Sequence, residues 1–296
     1  MMHGIRTDLA MERAGGIQGA GDGVTVERKQ HGQMETTWVY ISNAAAAERL
    51  GKSQGAYWTL MHRNLPLLEP EERMEVAMQV ADALRGMLPA KGDVLVLGLG
   101  NRRMTADALG SRTVEGVLVT RHFKEPELRG VCALSPGVMG VTGIETAELA
   151  AGLTERLRPA AVIVVDALAA METSHIGTTI QVTDTGICPG GGVGNHRKGI
   201  TQKTLRVPVI AMGIPMVVYA STIVRDALRR LLANENEKTG AEAIADQLTE
   251  QIESDLVVTP RNIDEMVQGL GDMLALSINA ALHPAFGVEE LSRYLH

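Results

Sequence analysis

The middle of the chain alternates short apolar runs with amphipathic helical segments. Uninterrupted runs of Val, Ile and Leu predict strands at 94–99, 117–119, 161–165 and 207–213, and weaker patterns predict two more near 131 and 180. A helix at 147–158, ended by Pro159, separates two of these strands. Because the runs are continuous rather than alternating, we expect each strand to be covered on both faces. The pattern predicts an α/β fold, a three-layer sandwich with a mixed, mostly parallel sheet.

The segments on either side of this core have different patterns. Residues 1–65 are rich in glycine, and alternating stretches such as 36–42 predict a strand-rich extension. A long helix is expected to begin at Pro70, because proline suits the first helical position, and to end before Pro89.

The end of the chain is predicted to be helical. Helices are expected at 221–234 and 241–254, and a third is expected to open at Pro260 and run to about residue 283. We expect a single domain over residues 1–296. It is made of the extension (1–65), an α/β core (66–234) and C-terminal helices (235–296).

Composition limits the classes of function. Of the 296 residues 45% are hydrophobic but only 3% aromatic, so the core must be built from aliphatic side chains and methionine. The formal net charge is −7 and no dense run of Lys and Arg occurs, which argues against direct nucleic-acid binding. No stretch of about 18 apolar residues occurs and the start lacks an apolar signal, so we expect neither a membrane span nor secretion. The two cysteines fit no disulfide or zinc spacing, which indicates a cytoplasmic protein.

Two aspartates follow predicted strands, each near the point where the strand ends. Asp107 lies in the segment after the run at 94–99, and Asp166 directly follows the run at 161–165. Open α/β sheets place their chemistry beyond the carboxyl ends of strands, so the two carboxylates can share one crevice. In such a pair one carboxyl takes a raised pKa and acts as an acid, while the other acts as a base. The pair predicts a water-activating site, although either aspartate alone more often caps a helix or a turn.

Two glycine-rich segments invite a ligand-binding interpretation. The first, Gly98-Leu-Gly100, follows a strand, but Arg103 stands where the dinucleotide fingerprint needs a third glycine, so no nucleotide cofactor is expected. The second, residues 183–195, has five glycines within nine residues, which lets the backbone approach a ligand closely. Its N–H groups could bind a peptide backbone or an oxyanion, and the alternative is a flexible surface loop.

Two other kinds of chemistry would use the same region. One or two metal ions could be held by carboxylate and imidazole side chains, namely those of Asp107, Asp166, Asp184, Glu145, His122 and His175. No closely spaced pair of histidines supports that site. A cysteine nucleophile at Cys188, near His196 in the sequence, is weaker still, because nothing places the thiol at a helix N-terminus.

A series of short blocks, all in one order, resembles the germination proteases of spore-forming Firmicutes. The blocks are Arg6-Thr-Asp-Leu-Ala10, Gly51-Lys-Ser-Gln-Gly-Ala-Tyr57, Gly98-Leu-Gly-Asn101, Thr105-Ala-Asp-Ala-Leu-Gly110, Val119-Thr-Arg-His122, Pro136-Gly-Val-Met-Gly140, Thr142-Gly-Ile-Glu-Thr146, Asp166-Ala-Leu-Ala169, Thr178-Thr-Ile-Gln181, Asp184-Thr-Gly186, Gly192-Val-Gly-Asn195 and Asn279-Ala-Ala-Leu-His-Pro284. The resemblance runs from about residue 5 to residue 284, nearly the whole chain.

The resemblance implies an endopeptidase that degrades small acid-soluble spore proteins when the spore germinates. It implies an α/β sandwich like that of the hydrogenase-maturation proteases, a homotetramer in the spore cytoplasm, and no known cofactor. The catalytic aspartates of the family lie in the blocks Thr-x-Asp-Ala-Leu-Gly and Asp-Ala-Leu-Ala, which are Asp107 and Asp166 here. We expect the spore proteins themselves to be the partners, with no direct contact to nucleic acid or membrane.

Further site residues are predicted around the pair. We expect Asn101 to orient a carboxylate or to bind substrate, and Glu145 to play a supporting role. The glycine-rich loop is expected to hold the substrate backbone through Asp184, Gly192, Gly194 and Asn195. The family favours an acidic residue before the cleaved bond, for which the candidate cations are Arg102, Arg103, Arg121 and Arg197.

The chain departs from the family at two places. Only Met1 to Ile5 precede the first block, so the short pro-segment of the family is expected to be missing, or activity is controlled differently. Tyr219 stands where the family usually has Asp after an Ile-Pro-x-Val-Val run.

The sequence leaves three functional hypotheses: a peptidase with a metal-free aspartate pair, a metal-dependent peptidase that uses the same carboxylates, and a spore-protein-binding homologue that has lost catalysis.

Overall fold

A mixed β-sheet is the centre of the molecule. The computed structural model describes residues 7–15, 17, 19–123, 125, 128–188, 198–232 and 256–285. Within these ranges the strands are β1 (Gly19–Gly21), β2 (Val24–His31), β3 (Met34–Ile41), β4 (Gly55–His62), β5 (Val94–Gly98), β6 (Val131–Leu134), β7 (Ala161–Ala170), β8 (Thr179–Thr183), β9 (Val209–Tyr219) and β10 (Val257–Val258). They form one sheet in the order β1-β2-β3-β4-β8-β9-β7-β5-β6, and β10 pairs with β9.

Helices cover both faces of this sheet. In the described ranges they are α1 (Ala10–Arg13), α2 (Ala44–Leu50), α3 (Pro70–Met87), α4 (Leu109–Glu115), α5 (Met139–Thr142), α6 (Thr146–Leu157), α7 (Gln202–Leu205), α8 (Ala220–Leu232) and α9 (Ile263–Leu282). Short 3-10 turns occur at Leu65–Leu67, Thr105–Asp107 and Thr173–His175. The predicted helix at 241–254 lies outside the described residues.

The sheet has a parallel centre and an antiparallel extension. Strands β9, β7, β5 and β6 are parallel neighbours, whereas β8 and β4 to β1 pair antiparallel. The mixed α/β sheet predicted from the sequence is therefore confirmed. The N-terminal strands join the core through β4 and β8, so extension and core share one sheet. The boundaries at residues 65 and 234 stay a prediction.

The apolar runs are continuous because the central strands are buried on both faces. Along β7, Ile163 and Val165 belong to the core that contains α3, α4 and α9, whereas Val162 and Val164 belong to the core beneath α6 and α7. Successive side chains of a strand point to opposite faces, so two apolar layers need an uninterrupted apolar strand. Burying each such side chain contributes about 1.5–3 kcal/mol to folding.

Two sequence predictions are wrong. Residues 117–119 do not form a strand, because the N–H of Leu118 donates to the Asn279 side-chain oxygen at 2.8 Å instead of to a strand neighbour. The last helix begins at Ile263 rather than at residue 260. The residues ahead of it form β10, where Val258 pairs with Val218, and the Thr259 hydroxyl donates to the carbonyl of Met216 at 3.0 Å. Two consecutive β-branched valines favour the edge of the sheet over a helix start.

A buried carboxylate attaches the N-terminal segment to the core. Glu12 accepts hydrogen bonds from the N–H groups of Met171 (2.8 Å) and Glu172 (2.9 Å), from the Thr7 hydroxyl, and from His175 Nδ1 at 2.6 Å. These donors lie on the loop between β7 and β8 and on the segment itself. The contacts hold residues 7–13 across the end of β7.

Donors and charges move the pKa values of this pair in opposite directions. Burial raises the pKa of Glu12, but the hydrogen bonds from His175, Thr7 and the two backbone N–H groups outweigh it, so the pKa lies below 4.5. Burial lowers the pKa of His175, but the hydrogen bond and the charge of Glu12 outweigh it, so the pKa lies above 6.5. Both groups are therefore charged at mildly acidic pH.

The attachment should depend on pH. The Glu12 contribution is present above pH 4.5 and is lost as the pH falls through its lowered pKa, whereas the His175 contribution is complete below pH 6.5 and is lost as the pH rises through its raised pKa. We expect His175→Gln to lower the free energy of unfolding by about 3 kcal/mol between these values, and by less at alkaline pH. Urea unfolding at a series of pH values measures this.

The matched control is His31→Gln. His31 lies 3.6 Å from Glu75 with both side chains mostly exposed, so its removal should change the free energy of unfolding by less than about 0.5 kcal/mol at every pH. A loss in His175→Gln that is constant across the pH series would show that packing, not the ion pair, holds the segment.

Candidate active site

Asp107 is held beyond the end of β5 by a tight turn. The chain leaves β5 at Gly98 and passes through Asn101 into the 3-10 turn that ends at Asp107. The backbone N–H of Asn101 donates to Asp107 Oδ2 at 2.7 Å, and the Asn101 side-chain oxygen accepts the N–H of Arg103 at 3.0 Å. Asn101 therefore orients the carboxylate as expected, but through its backbone, while its side chain stabilises the turn.

Three glycines allow this turn to lie against the strands. A Cβ on Gly100, whose φ is +97°, would lie 1.8 Å from the carbonyl oxygen of Asp107. A Cβ on Gly98 would lie 2.1 Å from the carbonyl oxygen of Gly110, and one on Gly110 would lie 2.3 Å from that of Val165. The glycines therefore let α4 and the turn pack on the ends of β5 and β7. This packing accounts for the glycines that suggested a dinucleotide fingerprint.

Asp166 lies inside β7 rather than after it. The last β5 residue, Gly98, pairs with Val165, so Asp166 is the first β7 residue beyond the end of β5, and β7 continues along β9 to Ala170. The alternative that Asp166 caps a helix is wrong for the same reason. Its carboxylate accepts the N–H of Ala167 at 2.9 Å, and the residue is 8% exposed.

The surroundings of Asp166 favour its protonated form. Burial raises the pKa of this carboxyl well above 3.8, the negative charges of Asp107 and Asp8 raise it further, and the Ala167 N–H opposes them only partly. The negative charge of Asp107 therefore acts on Asp166, and the catalytic pairing of the two aspartates stays a prediction. Asp8 is a third carboxylate near Asp166. The N–H of Ala169 donates to Asp8 Oδ2 at 2.8 Å and holds it there.

A cavity of about 330 Å³ lies along β7 and β9 at this end of the sheet; Asp8 lines it, whereas Asp107 and Asp166 do not. Leu168 and Gly213 line it; Leu168 is two residues after Asp166 on the same face of β7, and Gly213 pairs with Asp166 across the sheet. A Cβ on Gly213 would lie 2.3 Å from the carbonyl oxygen of Asp166, so only glycine keeps this wall open. Hydroxyl-bearing side chains supply much of the remaining wall, namely Thr7, Ser53, Tyr57, Thr183, Thr185 and Thr201.

Lys52 brings a cation into the cavity wall. Its ammonium group donates to the carbonyl of Thr7 at 3.0 Å. Burial lowers the pKa of Lys52, the carboxylate of Asp8 opposes this, and the charge of Arg13 lowers it further. Lys52 is half-buried, and Asp8, which lines the same cavity, is a neighbouring anion. Arg13 also lines the cavity, so two cations face one carboxylate in the lining, which suits a ligand that carries a carboxylate.

The other predicted site residues lie elsewhere or outside the described residues. Glu145 is the N-cap of α6, where its carbonyl accepts the N–H groups of Glu148 and Leu149. Asp184 is exposed and accepts the N–H of Ala56 at 2.9 Å, so it joins β4 to β8. Gly192, Gly194, Asn195 and His196 lie outside the described residues. The ends of their loop are joined by Ile187 and Ile200, which exchange backbone hydrogen bonds.

The side chains considered as metal ligands are dispersed. His122 is exposed and contacts the ring of Phe123 at 4.1 Å between centroids, while His175 pairs with Glu12. Within the described ranges, no group of three or more His, Cys, Asp or Glu side chains is placed to hold a metal ion. Cys188 is exposed and lines the cavity wall.

Sequence reasoning missed Asp8 and Lys52. Both lie in blocks that carry the family resemblance, but neither follows a strand of the parallel core, so their position in the sequence gave no signal.

Tyr219, where the family usually has Asp, is buried at the end of β9 and pairs with Val257. Across the described part of the chain, no helix is both long and apolar enough to cross a membrane.

The close packing at Gly110 gives a stability test. We expect Gly110→Ala to lower the free energy of unfolding by about 3 kcal/mol, because the new Cβ would lie 2.3 Å from the backbone oxygen of Val165. Gly86→Ala is the matched control, since Gly86 also lies in a helix but has open space around it, and alanine there should stabilise by about 0.5–1 kcal/mol. Equal effects of the two changes in urea unfolding would contradict the packing role.

Comparison with known proteins identifies the family of this chain. The sequence model of the germination proteases matches residues 8–249. The chain is 39% identical to a germination protease of Caldanaerobacter subterraneus, covering 99% of this chain and 98% of that protein. The germination proteases of Clostridium acetobutylicum (35%, covering 100% of both chains) and Bacillus cytotoxicus (34%, covering 99% and 98%) are also similar.

A solved structure gives a more distant likeness. The crystal structure of a NiFe hydrogenase maturation protease from Thermococcus kodakarensis is 19% identical, with a TM-score of 0.32, covering 57% of this chain and 97% of that one. The family match and the similarity over nearly the whole length are the stronger findings. The chain belongs to the germination protease family.

Proposed function

We propose that this chain is an endopeptidase that begins the degradation of small acid-soluble spore proteins during germination, with Asp107 and Asp166 activating a water molecule. The observation that carries the proposal is the raised pKa of the buried Asp166 beside the carboxylate of Asp107. Two carboxyl groups with different environments are what an acid and base pair requires.

The two aspartates take different roles. Asp166 holds its proton because it is buried and faces two other carboxylates, so it is the general acid. Asp107 accepts the Asn101 N–H and is the general base, which removes a proton from water as the water oxygen attacks the scissile carbonyl carbon. Asp166 then donates its proton to the leaving amine as the carbon–nitrogen bond breaks. The proton on Asp107 restores the pair when it passes to Asp166.

The cavity lined by Asp8 and Lys52 has the charges to bind an acidic substrate side chain. Among the candidate cations, Arg102 is paired with Glu115, and Arg121 is paired with Asp93 at the opposite end of β5. Arg103 is exposed, and Arg197 lies outside the described residues. Lys52 instead lines the cavity itself. We therefore assign the recognition of a substrate carboxylate to Lys52, with the loop containing Asp184, Gly192, Gly194 and Asn195 holding the substrate backbone.

The assembly and location follow from the family rather than from the contacts within one chain. We propose a homotetramer in the cytoplasm of the spore core, where the substrates are found, and no metal or other cofactor. Two alternatives make different predictions. A metal-dependent peptidase would lose activity in a strong chelator, and a binding protein without catalysis would bind the substrate without producing fragments.

Removing the carboxyl group of Asp107 or Asp166 should lower the cleavage rate without unfolding the protein. We expect Asp107→Asn and Asp166→Asn each to lower the rate of cleavage of a purified spore protein by about 100-fold or more. Asp166→Asn should also raise the free energy of unfolding at neutral pH by roughly 1 kcal/mol. The raised pKa means that the folded state loses stability as the pH rises above 3.8, and an amide avoids this cost.

Asp272→Asn is the matched control. This exposed carboxylate pairs with Arg112, and its loss should leave the cleavage rate unchanged and stability within about 0.5 kcal/mol. Full activity in a folded Asp107→Asn or Asp166→Asn protein would remove that residue from the mechanism. Loss of wild-type cleavage after dialysis against a strong chelator would instead favour the metal-dependent hypothesis, and a stable complex without fragments would favour the binding protein.

Lys52 should control the preference for an acidic side chain. We expect Lys52→Met to lower kcat/KM by about tenfold or more for a peptide with Glu before the cleaved bond, and to leave the rate for the matching Gln peptide nearly unchanged. The exposed Lys203→Met serves as the control and should alter neither rate. An unchanged ratio of Glu to Gln cleavage in folded Lys52→Met would show that another group binds the substrate carboxylate.

A further inference from the structure

A second cavity lies at the end of the parallel strands opposite the aspartates. Its volume is about 670 Å³. Three segments line it: residues 88–93 ahead of β5, residues 128–130 ahead of β6, and residues 281–285 at the end of α9. Asp107 and Asp166 lie beyond the other ends of these strands, so this cavity takes no part in the proposed cleavage.

His283 lines this cavity with unused hydrogen-bonding capacity. The residue is 2% exposed, and in the part of the chain that the structure describes neither of its ring nitrogens has a hydrogen-bond partner. Burial and the nearby charge of Arg129 lower the pKa of His283 to about 4, so the ring is neutral at physiological pH and carries one N–H donor. A buried polar group without a partner costs about 1–3 kcal/mol, which a ligand would recover.

Arg129 lines the same cavity with a second unused donor. Its Nε donates to the carbonyl of Gly92 at 2.7 Å, which fixes the guanidinium, while its buried Nη2 has no hydrogen-bond partner among the described residues. A guanidinium held in this way presents its N–H groups in a fixed fork, which matches the oxygens of a carboxylate or a phosphate.

The remaining walls add positive charge and apolar surface. Lys91 and Arg85 also line the cavity, although Arg85 is paired with Asp82. The one acidic lining residue in the described ranges, Asp93, is paired with Arg121 at 3.1 Å. The apolar side chains of Leu88, Leu128 and Leu282 complete the lining. The excess of cations favours an anion, and the leucines provide a surface for the body of a small ligand.

We propose that this cavity is a binding site for a small ligand that carries a carboxylate or phosphate group, bound by Arg129 and His283. The Arg129 Nη2–H group and the His283 ring N–H group are shielded from solvent in this structure, so each donates to a ligand oxygen after its side chain turns toward the cavity. Lys91 adds positive charge at the exposed rim, and the leucines contact the rest of the ligand. The site is independent of the aspartate pair, so it stands whether or not the proposed cleavage mechanism is correct.

The test measures binding of two simple anions to the full chain. Inorganic phosphate and benzoate are titrated separately by calorimetry, with chloride at matched ionic strength as the reference. We expect saturable binding of at least one anion at a single site. Arg129→Gln and His283→Gln should each weaken that binding by about tenfold or more, because each removes one donor to the anion. Arg156→Gln, an exposed arginine on α6, is the matched control and should bind like the wild type.

A second measurement covers variants that fail to fold. The ring resonances of His283, identified by sequential NMR assignment of the wild-type protein, should shift as the anion is added. Binding of phosphate alone assigns a phosphate group, binding of benzoate alone assigns an organic carboxylate, and binding of both assigns the shared oxyanion. Absence of saturable binding by both anions, unchanged affinity in folded Arg129→Gln, or a His283 signal that does not move at saturation would each overturn the proposal.

Discussion

The proposed site depends on one constraint: the carboxyl group of Asp166 is buried beside other carboxylates, where its ionised form is unfavourable. Asp166 lies in the central strand of a sheet covered on both faces, beside Asp107 and Asp8, with a single backbone N–H to compensate. Burial and repulsion together raise the pKa of this carboxyl and so favour its protonated form. The three close glycine contacts beneath Asp107 bring the second carboxylate near enough for that repulsion. The proposed division of labour between acid and base depends on this asymmetry.

Glu12 shows how differently a buried carboxyl behaves when donors surround it. It receives two backbone N–H groups, a hydroxyl and an imidazole, and its pKa falls despite burial. Asp166, with one donor and two neighbouring anions, has a pKa that rises. The count of donors against neighbouring charges therefore decides the protonation state, while depth of burial alone does not. One of these carboxyls serves attachment of the N-terminal segment, and the other has the properties of a reactive group.

The two ends of the parallel strands carry different chemistry. At the carboxyl ends, Asp8 lines a cavity together with hydroxyl groups and Lys52. At the amino ends, Arg129 and His283 line a cationic cavity with unpaired donors. Both cavities are built from segments that are distant in sequence. Lys52 in the first has Asp8 as a neighbouring anion, whereas His283 in the second has no hydrogen-bond partner among the described residues. The apolar sheet between them separates the two sites.

Much of the fold and part of the site could be predicted from the sequence. The continuous apolar runs predicted the buried strands β5, β7 and β9, because a strand covered on both faces takes mostly apolar side chains. Pro70 and Pro159 marked helix boundaries correctly, since proline cannot occupy a helix interior. The position of Asp107 and Asp166 next to these strands was also apparent, because side chains near the ends of parallel strands converge.

Only the tertiary structure decided which other groups reach the site. Asp8 and Lys52 arrive through an N-terminal segment and a loop whose positions depend on long-range hydrogen bonds, such as that of Asp8 with Ala169. The same kind of contact, from Leu118 to Asn279, replaced an expected strand with a loop. Periodicity along a chain indicates on which face of its own helix or strand a residue lies. It does not indicate which distant residue will contact that face, because the packing of all the elements together fixes such contacts.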